Sequence, residues 1–246
     1  MPQKTLLSKD YPSGDEWKKL IKQFSPDAIA HKLLLSSVPY VFKEEPLKFA
    51  LFKRTIADAF GVAPTDVFIV GSALAGRSLK GHDIEKLYSS DSDIDTLIIS
   101  EHLFAKYVMK SFEWVKEVTS PDYDENDHYK VPKLTDDETT QIGRLALNAC
   151  KGIWRPDSLP SEAGAREEFF AKFGDVSLKI LGLQLSEDTV SKVNGRIARS
   201  FDDAVKDLSS SIWRMKKEFE DIEKKATLPN PNGMTKKDKV ETKQAQ

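Results

Sequence analysis

Two short segments of the chain carry residue types suited to phosphate chemistry. Gly71 and Ser72 follow the apolar run Val67–Val70, and Asp93 and Asp95 stand at the start of the next apolar run. A glycine after a strand lets the backbone approach a ligand, and exposed N–H groups with a hydroxyl can cradle phosphate oxygens. Carboxylate oxygens are hard ligands that suit Mg²⁺ or Mn²⁺. These residue types together predict a site for a metal-bound nucleoside triphosphate and in-line phosphoryl transfer.

The two aspartates are separated by one residue, and this spacing matters if the segment is a strand. Side chains alternate between the faces of a strand, so Asp93 and Asp95 would share one face while Ile94 and Ile98 take the other. Two neighbouring carboxylates repel each other, and a divalent cation is the expected neutraliser. An aspartate run alone is also typical of a polar strand entry or a turn. Its position after a strand and a Gly-Ser pair favours the catalytic interpretation.

Hydrophobic spacing predicts the elements that must position these residues. We expect an α/β (α+β) fold in which a short mixed sheet is flanked by helices, with a helical carboxy-terminal portion. Residues 1–135 would hold the amino-terminal helices and the core motif, 136–226 the remainder of the core, and 227–246 a disordered tail. The predicted helices are 16–24, 29–41, 47–60, 103–118, 137–150, 161–173 and 201–222. The predicted strands are 67–70, 94–99, 176–185 and 189–199, the last two as a hairpin with Asn194-Gly195 at a tight turn or bulge.

The motif residues resemble a known family. Gly71-Ser-Ala-Leu-Ala-Gly-Arg-Ser-Leu79 with Ser92-Asp-Ile-Asp95 is similar to the nucleotidyltransferases of the DNA polymerase β superfamily. The segment looks most like the small stand-alone bacterial members, some of which occur in defence or toxin-antitoxin settings. The strong match covers about 35 residues, so it speaks for the core motif and not for the whole chain.

The resemblance implies an activity and assigns residues to it. A nucleoside monophosphate would pass from an NTP or dNTP to a hydroxyl, with Mg²⁺ or Mn²⁺ as cofactor. Gly71 and Ser72 would hold the triphosphate, and Asp93 and Asp95 would ligate the metals. The family adds a third carboxylate on a later strand, and Asp175 is the candidate for that position.

The chain departs from the family in its spacer. Twenty residues separate Ser72 from Asp93, so the insert 80–92 would have to loop out of the sheet. Arg77 is a candidate nucleotide-binding residue, and Lys80, Arg196 and Arg199 are further basic residues that could meet phosphates.

Two other interpretations remain open. The chain could be a non-catalytic nucleotide-binding interaction protein, antitoxin-like or regulatory. A less favoured alternative is a degenerate P-loop NTPase, since Gly71-x-x-x-x-Gly76-Arg77-Ser78 differs from that motif in having arginine where lysine contacts phosphate.

Composition limits the remaining function classes. The 37 basic and 39 acidic residues nearly cancel, so no global basic field indicates general nucleic-acid binding. Cys150 is the single cysteine, which excludes an intrachain disulfide and indicates a reducing, cytoplasmic compartment. No apolar run approaches membrane-span length, and we expect no membrane insertion. Trp114, Trp154 and Trp213 are expected to be core or interface aromatics.

The sequence leaves the partners undecided. The acceptor could be RNA, a protein, a nucleotide or a small molecule, because the core motif sets the donor chemistry while other surfaces select the acceptor. Homo-oligomerisation and binding of a partner protein also stay open, since the apolar stripe of the last helix would form a dimer face if it proved exposed.

Overall fold

The computed structural model describes residues 11–89, 92–123, 129–130, 132–182 and 193–227. Among these residues the chain forms an α+β fold, and the expected mixed sheet flanked by helices is confirmed at this level. The helices are α1 (Gly14–Gln23), α2 (Pro26–Ser36), α3 (Pro46–Phe60), α4 (Ser72–Ala75), α5 (Glu101–Thr119), α6 (Asp136–Cys150), α7 (Gly164–Gly182) and α8 (Phe201–Thr227). The strands are β1 (Val67–Val70), β2 (Ile94–Ile99), β3 (Asp122–Tyr123), β4 (Tyr129–Lys130), β5 (Ile153–Trp154) and β6 (Val193–Ala198).

Four of the strands form one mixed sheet in the order β1-β2-β6-β5. β2 pairs antiparallel with β1 and parallel with β6, and β5 closes the far edge antiparallel to β6. Among the described strands, β3 and β4 pair only with each other. Because β1 and β2 come from residues 1–135 and β5 and β6 from 136–226, the two expected segments share one sheet and one core.

Local sequence signals explain where the helices begin and end. Ser13 caps α1 through a reciprocal capping box with Glu16. Gly61 ends α3 in the left-handed conformation at φ 68°, which a glycine adopts without a steric penalty. At the start of α8, the Ser200 hydroxyl accepts a hydrogen bond from the backbone N–H of Asp203 at 3.1 Å. These ends agree with the sequence-based boundaries to within a few residues.

Helices cover both faces of the sheet. On one face the buried Trp154 and Phe169 rings lie 4.8 Å apart between centroids, so α7 packs over β5 and β6. On the other face Leu33 of α2 and Leu208 and Ile212 of α8 surround a small cavity that also touches the Asp95 side of β2. The sheet is therefore a central layer, and Asp95 faces α2 and α8.

The predicted hairpin 176–185/189–199 is wrong. Residues 176–182 continue helix α7, because Phe169, Phe173 and Val176 recur at helical spacing and are all buried. The remaining residues of the first predicted strand lie outside the described part of the chain. The second prediction is correct over β6, where Asn194 and Gly195 pair with β2 within the strand and form no turn.

The apolar stripe of α8 belongs to the core. Val205, Leu208, Ile212 and Met215 are buried, and only Ile222 near the end of the stripe is exposed, at 48%. The stripe therefore packs in the core of the chain, as the core interpretation predicts. Within the described residues, no helix is both long and apolar enough to cross a membrane.

Gly195 is the position where a side chain would most directly disturb the pairing of β2 with β6. An added Cβ would lie 2.6 Å from Phe173 Cζ and also against the Thr96 hydroxyl, so the buried neighbours would have to move. We expect Gly195→Ala to destabilise the fold by about 1–3 kcal/mol, which lowers the melting temperature by about 2–4 °C for each kcal/mol. Thermal unfolding followed by circular dichroism measures this.

Gly143→Ala in α6 is the matched control for that substitution. Nothing lies within 4 Å of its added Cβ, so the change should leave stability the same or raise it by up to about 1 kcal/mol. Equal melting temperatures for the two variants would contradict the packing role of Gly195.

Candidate functional site

The strand register brings Gly71 against Asp95. Val70 pairs with Asp95 across the antiparallel β1–β2 ladder, so the residue after Val70 lies beside the aspartate side chain. Gly71 has φ 70° and ψ −147°, a conformation restricted essentially to glycine. A Cβ at this position would lie 3.1 Å from Asp95 Oδ2. The glycine therefore allows the backbone to approach the Asp95 carboxylate closely.

Ser72 begins the single helical turn α4 directly after this glycine. Ala73 and Leu74 are buried, and Gly76 ends the turn by donating its backbone N–H to the Ser72 carbonyl at 2.8 Å. The turn is thus anchored in the core while Ser72 stays half-buried at the wall of a cavity. The predicted pair Gly71 and Ser72 lies together, next to Asp95.

Asp93 and Asp95 line the same cavity, as the alternation predicts. Asp95 is half-buried and Asp93 is exposed just before β2. Burial raises the pKa of the Asp95 carboxyl; the Arg196 charge opposes this rise and the neighbouring Asp93 charge adds to it. No side chain or backbone group of the described residues donates a hydrogen bond to the Asp95 carboxylate or forms an ion pair with it. This carboxylate is therefore available to a cation from outside the chain.

The position beside the pair on the neighbouring strand holds an amide. Asn194 of β6 is in register with Asp95, and its Nδ2 donates to Asp93 Oδ2 at 3.0 Å. Asp175, the expected third carboxylate, is exposed on α7, which covers the opposite face of the sheet. The structure does not bring Asp175 to the pair, because the strand on which it was predicted is helical.

The cavity beside these residues has a volume of about 600 Å³. One wall is the insert, which loops out of the sheet as expected and folds back through Tyr88 N–H to the Gly76 carbonyl, at 3.0 Å. The opposite wall is α8. From the insert come Lys80, Asp83 and Lys86, and from α8 come Ser211, Arg214 and Glu218.

Glu218 of α8 links the two walls of the cavity by hydrogen bonds to the insert. Its Oε2 accepts hydrogen bonds from the backbone N–H groups of Gly81 at 2.6 Å and His82 at 3.3 Å. His82 Nδ1 also lies 3.3 Å from the same oxygen. The position of the insert over the cavity thus depends on α8.

Arg77 has a structural role in this arrangement. Its Nη1 donates to the Ile84 carbonyl at 3.0 Å and lies 3.8 Å from Glu85 Oε2, and the residue does not line the cavity. Arg77 and the following Ser78 lie in an extended segment, where Arg77 bridges to Leu87. A P-loop requires a helix to begin there, so this geometry differs from the P-loop alternative.

Arg196 lies on the neighbouring strand and is held in an ion-pair network. Its Nε lies 3.0 Å from Asp207 Oδ2, in an ion pair whose N–H does not point at the carboxylate. Arg155 Nη2 lies 3.1 Å from the other oxygen of Asp207. Burial lowers the pKa of Arg196, and the Asp207 charge opposes this effect. Asp207 thus neutralises Arg196, and Asp95 has no direct partner in the part of the chain that the structure describes.

Sequence reasoning missed several residues of the cavity. Arg214 and Glu218 are four residues apart on α8, and this helical spacing is the signal that would have placed them on one face. Lys86 becomes part of the wall only because the insert folds back. Asn194, which hydrogen-bonds Asp93, was expected at a tight turn or bulge, because its register with Asp95 requires the β2–β6 pairing to be known.

The acidic side chains of the cavity can be compared with those that bind divalent cations in proteins. In the described part of the chain no group of three His, Cys, Asp or Glu residues converges as a metal site. Mg²⁺ is commonly held by one or two carboxylates together with substrate phosphates and water. The unpartnered Asp95 carboxylate beside Asp93 fits that mode, with the remaining ligands coming from the nucleotide and solvent.

The Asp95 environment predicts a stability effect. Because the pKa of Asp95 is raised, the folded chain binds its proton more tightly than the unfolded chain does, and stability falls as the pH rises through the interval between the two pKa values. Asn cannot ionise, so in EDTA we expect Asp95→Asn to melt about 2–4 °C above the original protein at about pH 7. The difference should vanish below about pH 4.

Asp58→Asn on α3 is the matched control, since the Asp58 side chain is 74% exposed. It should melt within about 1 °C of the original protein at both pH values, as surface substitutions usually do. A lower melting temperature for Asp95→Asn at neutral pH would show that the carboxylate is stabilised by the fold and is not strained.

Comparison with protein-family models, with curated proteins and with solved structures finds no match to the chain. What this cavity does must therefore be inferred from its own residues.

Proposed function

We propose that the chain is a metal-dependent nucleotidyltransferase that acts in the cavity between the insert and α8. The observation that carries this proposal is the half-buried Asp95 carboxylate. It lacks a partner among the described residues, has Asp93 beside it, and lies where the Gly71 backbone approaches it. A structural aspartate would be neutralised by a nearby donor, and this one is not. A cation from outside would neutralise the two carboxylates, and an anionic ligand of that cation would lie against the Gly71 backbone.

The cavity offers groups for each part of a metal-bound NTP or dNTP. Asp93 and Asp95 would hold Mg²⁺ or Mn²⁺, which supplies charge stabilisation at the transferred phosphorus when bound. Ser72 and the Gly71 backbone would orient the triphosphate, as the resemblance implies. Lys80, Lys86 and Arg214 add cationic side chains at the same cavity. Arg77 and Asp175 lie elsewhere and are not part of the proposed site.

The proposed reaction is an in-line displacement at the α-phosphorus. The acceptor hydroxyl oxygen forms a bond to this phosphorus, and the bond to the oxygen that bridges to the β-phosphate breaks. Pyrophosphate leaves with that electron pair, and the hydroxyl proton passes to water in the cavity. The role of the chain is positioning and electrostatics, which supply most of the catalysis in phosphoryl transfer.

A second candidate function is nucleotide binding without turnover, in a regulatory or antitoxin-like partner. Asn194 favours it, since an amide occupies the position beside the acidic pair where the resembled family has a carboxylate. The two candidates share a ligand and differ in whether pyrophosphate is released.

Pyrophosphate release distinguishes these candidates. The full chain is incubated with each NTP and dNTP, Mg²⁺ or Mn²⁺, and total cellular RNA as an acceptor pool. We expect release that falls by about 100-fold or more in Asp93→Asn/Asp95→Asn, because the cation loses both protein ligands. Ser72→Ala should lower kcat/KM by about tenfold through loss of one hydrogen bond to a charged group.

Asp58→Asn serves as the control and should retain full activity, since this exposed residue lies on α3 away from the cavity. Calorimetry with a non-hydrolysable triphosphate is run beside the assay. Metal-dependent binding that needs Asp93 and Asp95, without release under any condition, would replace the proposed enzyme by the non-catalytic candidate.

Asn194→Asp probes the third position directly. A carboxylate there adds a like charge beside Asp93 and Asp95, so we expect a lower melting temperature in EDTA. Added Mn²⁺ should raise the melting temperature of this variant more than that of the original chain, since the third carboxylate becomes a ligand. An equal Mn²⁺ response in both proteins would show that residue 194 does not face the cation.

A further inference from the structure

A second and larger cavity lies on the other flank of α8. Its volume is about 1060 Å³, and it is bounded by the start of α2, the end of α6, β5 and the first half of α8. We call it the basic groove, because five cationic side chains and three carboxylates line it. The cationic residues are Lys151, Arg155, Arg199, Lys206 and Arg214, and the carboxylates are Asp27, Asp203 and Asp207.

Arginine ion pairs use up two of the three carboxylates of the groove, and the third, Asp27, lies beside a histidine. Arg199 pairs with Asp203 at 3.0 Å, Arg155 shares Asp207 with a buried arginine, and Asp27 Oδ2 lies 3.3 Å from His31 Nδ1. Among the described residues, no carboxylate pairs with Lys151, Lys206 or Arg214. These three cations give the groove an unbalanced positive charge that an anionic ligand would complement.

The spacing of the cations favours a ligand with several anionic groups. Lys206 and Arg214 are eight residues apart on α8, which corresponds to about 12 Å along the helix axis. Lys151 lies at the end of α6, on the opposite side of the groove. A chain of phosphates matches this separation better than a single phosphate does.

An exposed indole lies in the same groove. Trp17, Trp114 and Trp154 are buried at 8% exposure or less, but Trp213 is 52% exposed. Lys217 Nζ lies 5.7 Å from the Trp213 ring centroid, and the ring belongs to the lining of the groove. Of the two positions expected for Trp213, in the core or at an interface, this exposure excludes the core. Exposed aromatic rings beside unpaired cations are the usual means of holding single-stranded nucleic acid, by base stacking and phosphate contacts.

The groove and the catalytic cavity meet at α8. Arg214 lines both, and Arg155 of the groove is close enough to lower the pKa of Asp95, against the larger effect of burial. The end of the groove at Arg214 therefore adjoins the cavity that holds the acidic pair.

We propose that the basic groove binds a single-stranded polynucleotide, with phosphates on Lys151, Lys206 and Arg214 and a base on Trp213. The next step rests on the proposed nucleotidyl transfer: in that reaction this strand is the acceptor, and its terminal hydroxyl is the attacking group. The binding itself requires neither metal nor donor nucleotide, so it is tested separately from catalysis.

The test is fluorescence anisotropy of a labelled 12-nucleotide single-stranded RNA with the full chain in EDTA, at several salt concentrations. We expect binding tighter than about 100 µM at physiological salt, with an affinity that falls linearly on a log–log plot as salt rises. Trp213→Ala should weaken binding about tenfold with the salt slope unchanged, because it removes stacking and no charge.

Lys151→Glu/Lys206→Glu should weaken binding and also lower the salt slope by about two, since two phosphate contacts are lost. The matched controls are Phe112→Ala, an exposed aromatic on α5, and Lys19→Glu/Lys116→Glu, which makes the same charge change away from the groove. Both controls should bind RNA within about twofold of the original chain, as substitutions outside an interface do. Melting temperatures establish that every variant is folded.

Three results would overturn the proposal. They are RNA binding weaker than the stated limit, equal loss in the groove and control variants, and preference for an oligoglutamate peptide over RNA in competition. The Asp93→Asn/Asp95→Asn variant separates the two proposals, because it should still bind RNA. Groove-dependent RNA binding without pyrophosphate release would leave the groove assignment standing and remove the catalytic one.

Discussion

An aspartate that is half-buried without a donor costs free energy when it ionises, and none of the described residues around Asp95 relieves that cost. β1 and β2 place the Gly71 backbone against the carboxylate, where a Cβ would crowd it. Arg196 is close enough to lower the pKa of Asp95, yet its Nε lies 3.0 Å from Asp207. The charge that would neutralise Asp95 is therefore bound elsewhere. The cation of the proposed reaction would remove this penalty, and its binding would then raise the stability of the fold.

Helix α8 connects this local constraint to the rest of the molecule. Its apolar side, with Leu208 and Ile212, packs in the core against the Asp95 face of the sheet. Its polar side supplies Asp207 to the arginines, and Glu218 to the insert. A rotation or shift of the helix would change the core, the charge state around Asp95 and the cavity wall together. The geometry around Asp95 thus depends on core packing far from the acidic pair. Buried and polar positions alternate along α8, so one helix can both pack in the core and hold the polar groups of the cavity.

The sequence predicts the parts of this arrangement that local rules determine. The runs 67–70 and 94–99 are strands with the predicted bounds, and Gly71, Ser72, Asp93 and Asp95 line one cavity. The failures concern contacts between distant segments. Val176 to Ile180 alternate like a strand, but the buried Phe169 and Phe173 extend the helical pattern into them. The local sequence around Gly195 is typical of a turn. In the structure Gly195 lies within β6, where Phe173 and Thr96 leave no room for a Cβ.

The amide at position 194 has a consequence for the charge balance of the site. Because the site has only two carboxylates, one divalent cation would be enough to neutralise the pair. A third carboxylate would demand more positive charge and would repel Asp93. Asn194 instead donates to Asp93 Oδ2 and fixes the exposed aspartate next to the half-buried one without adding charge. For the proposed nucleotidyl transfer, this arrangement would suit a single cation whose remaining ligands are phosphates of the donor, so that metal and nucleotide would bind as one unit.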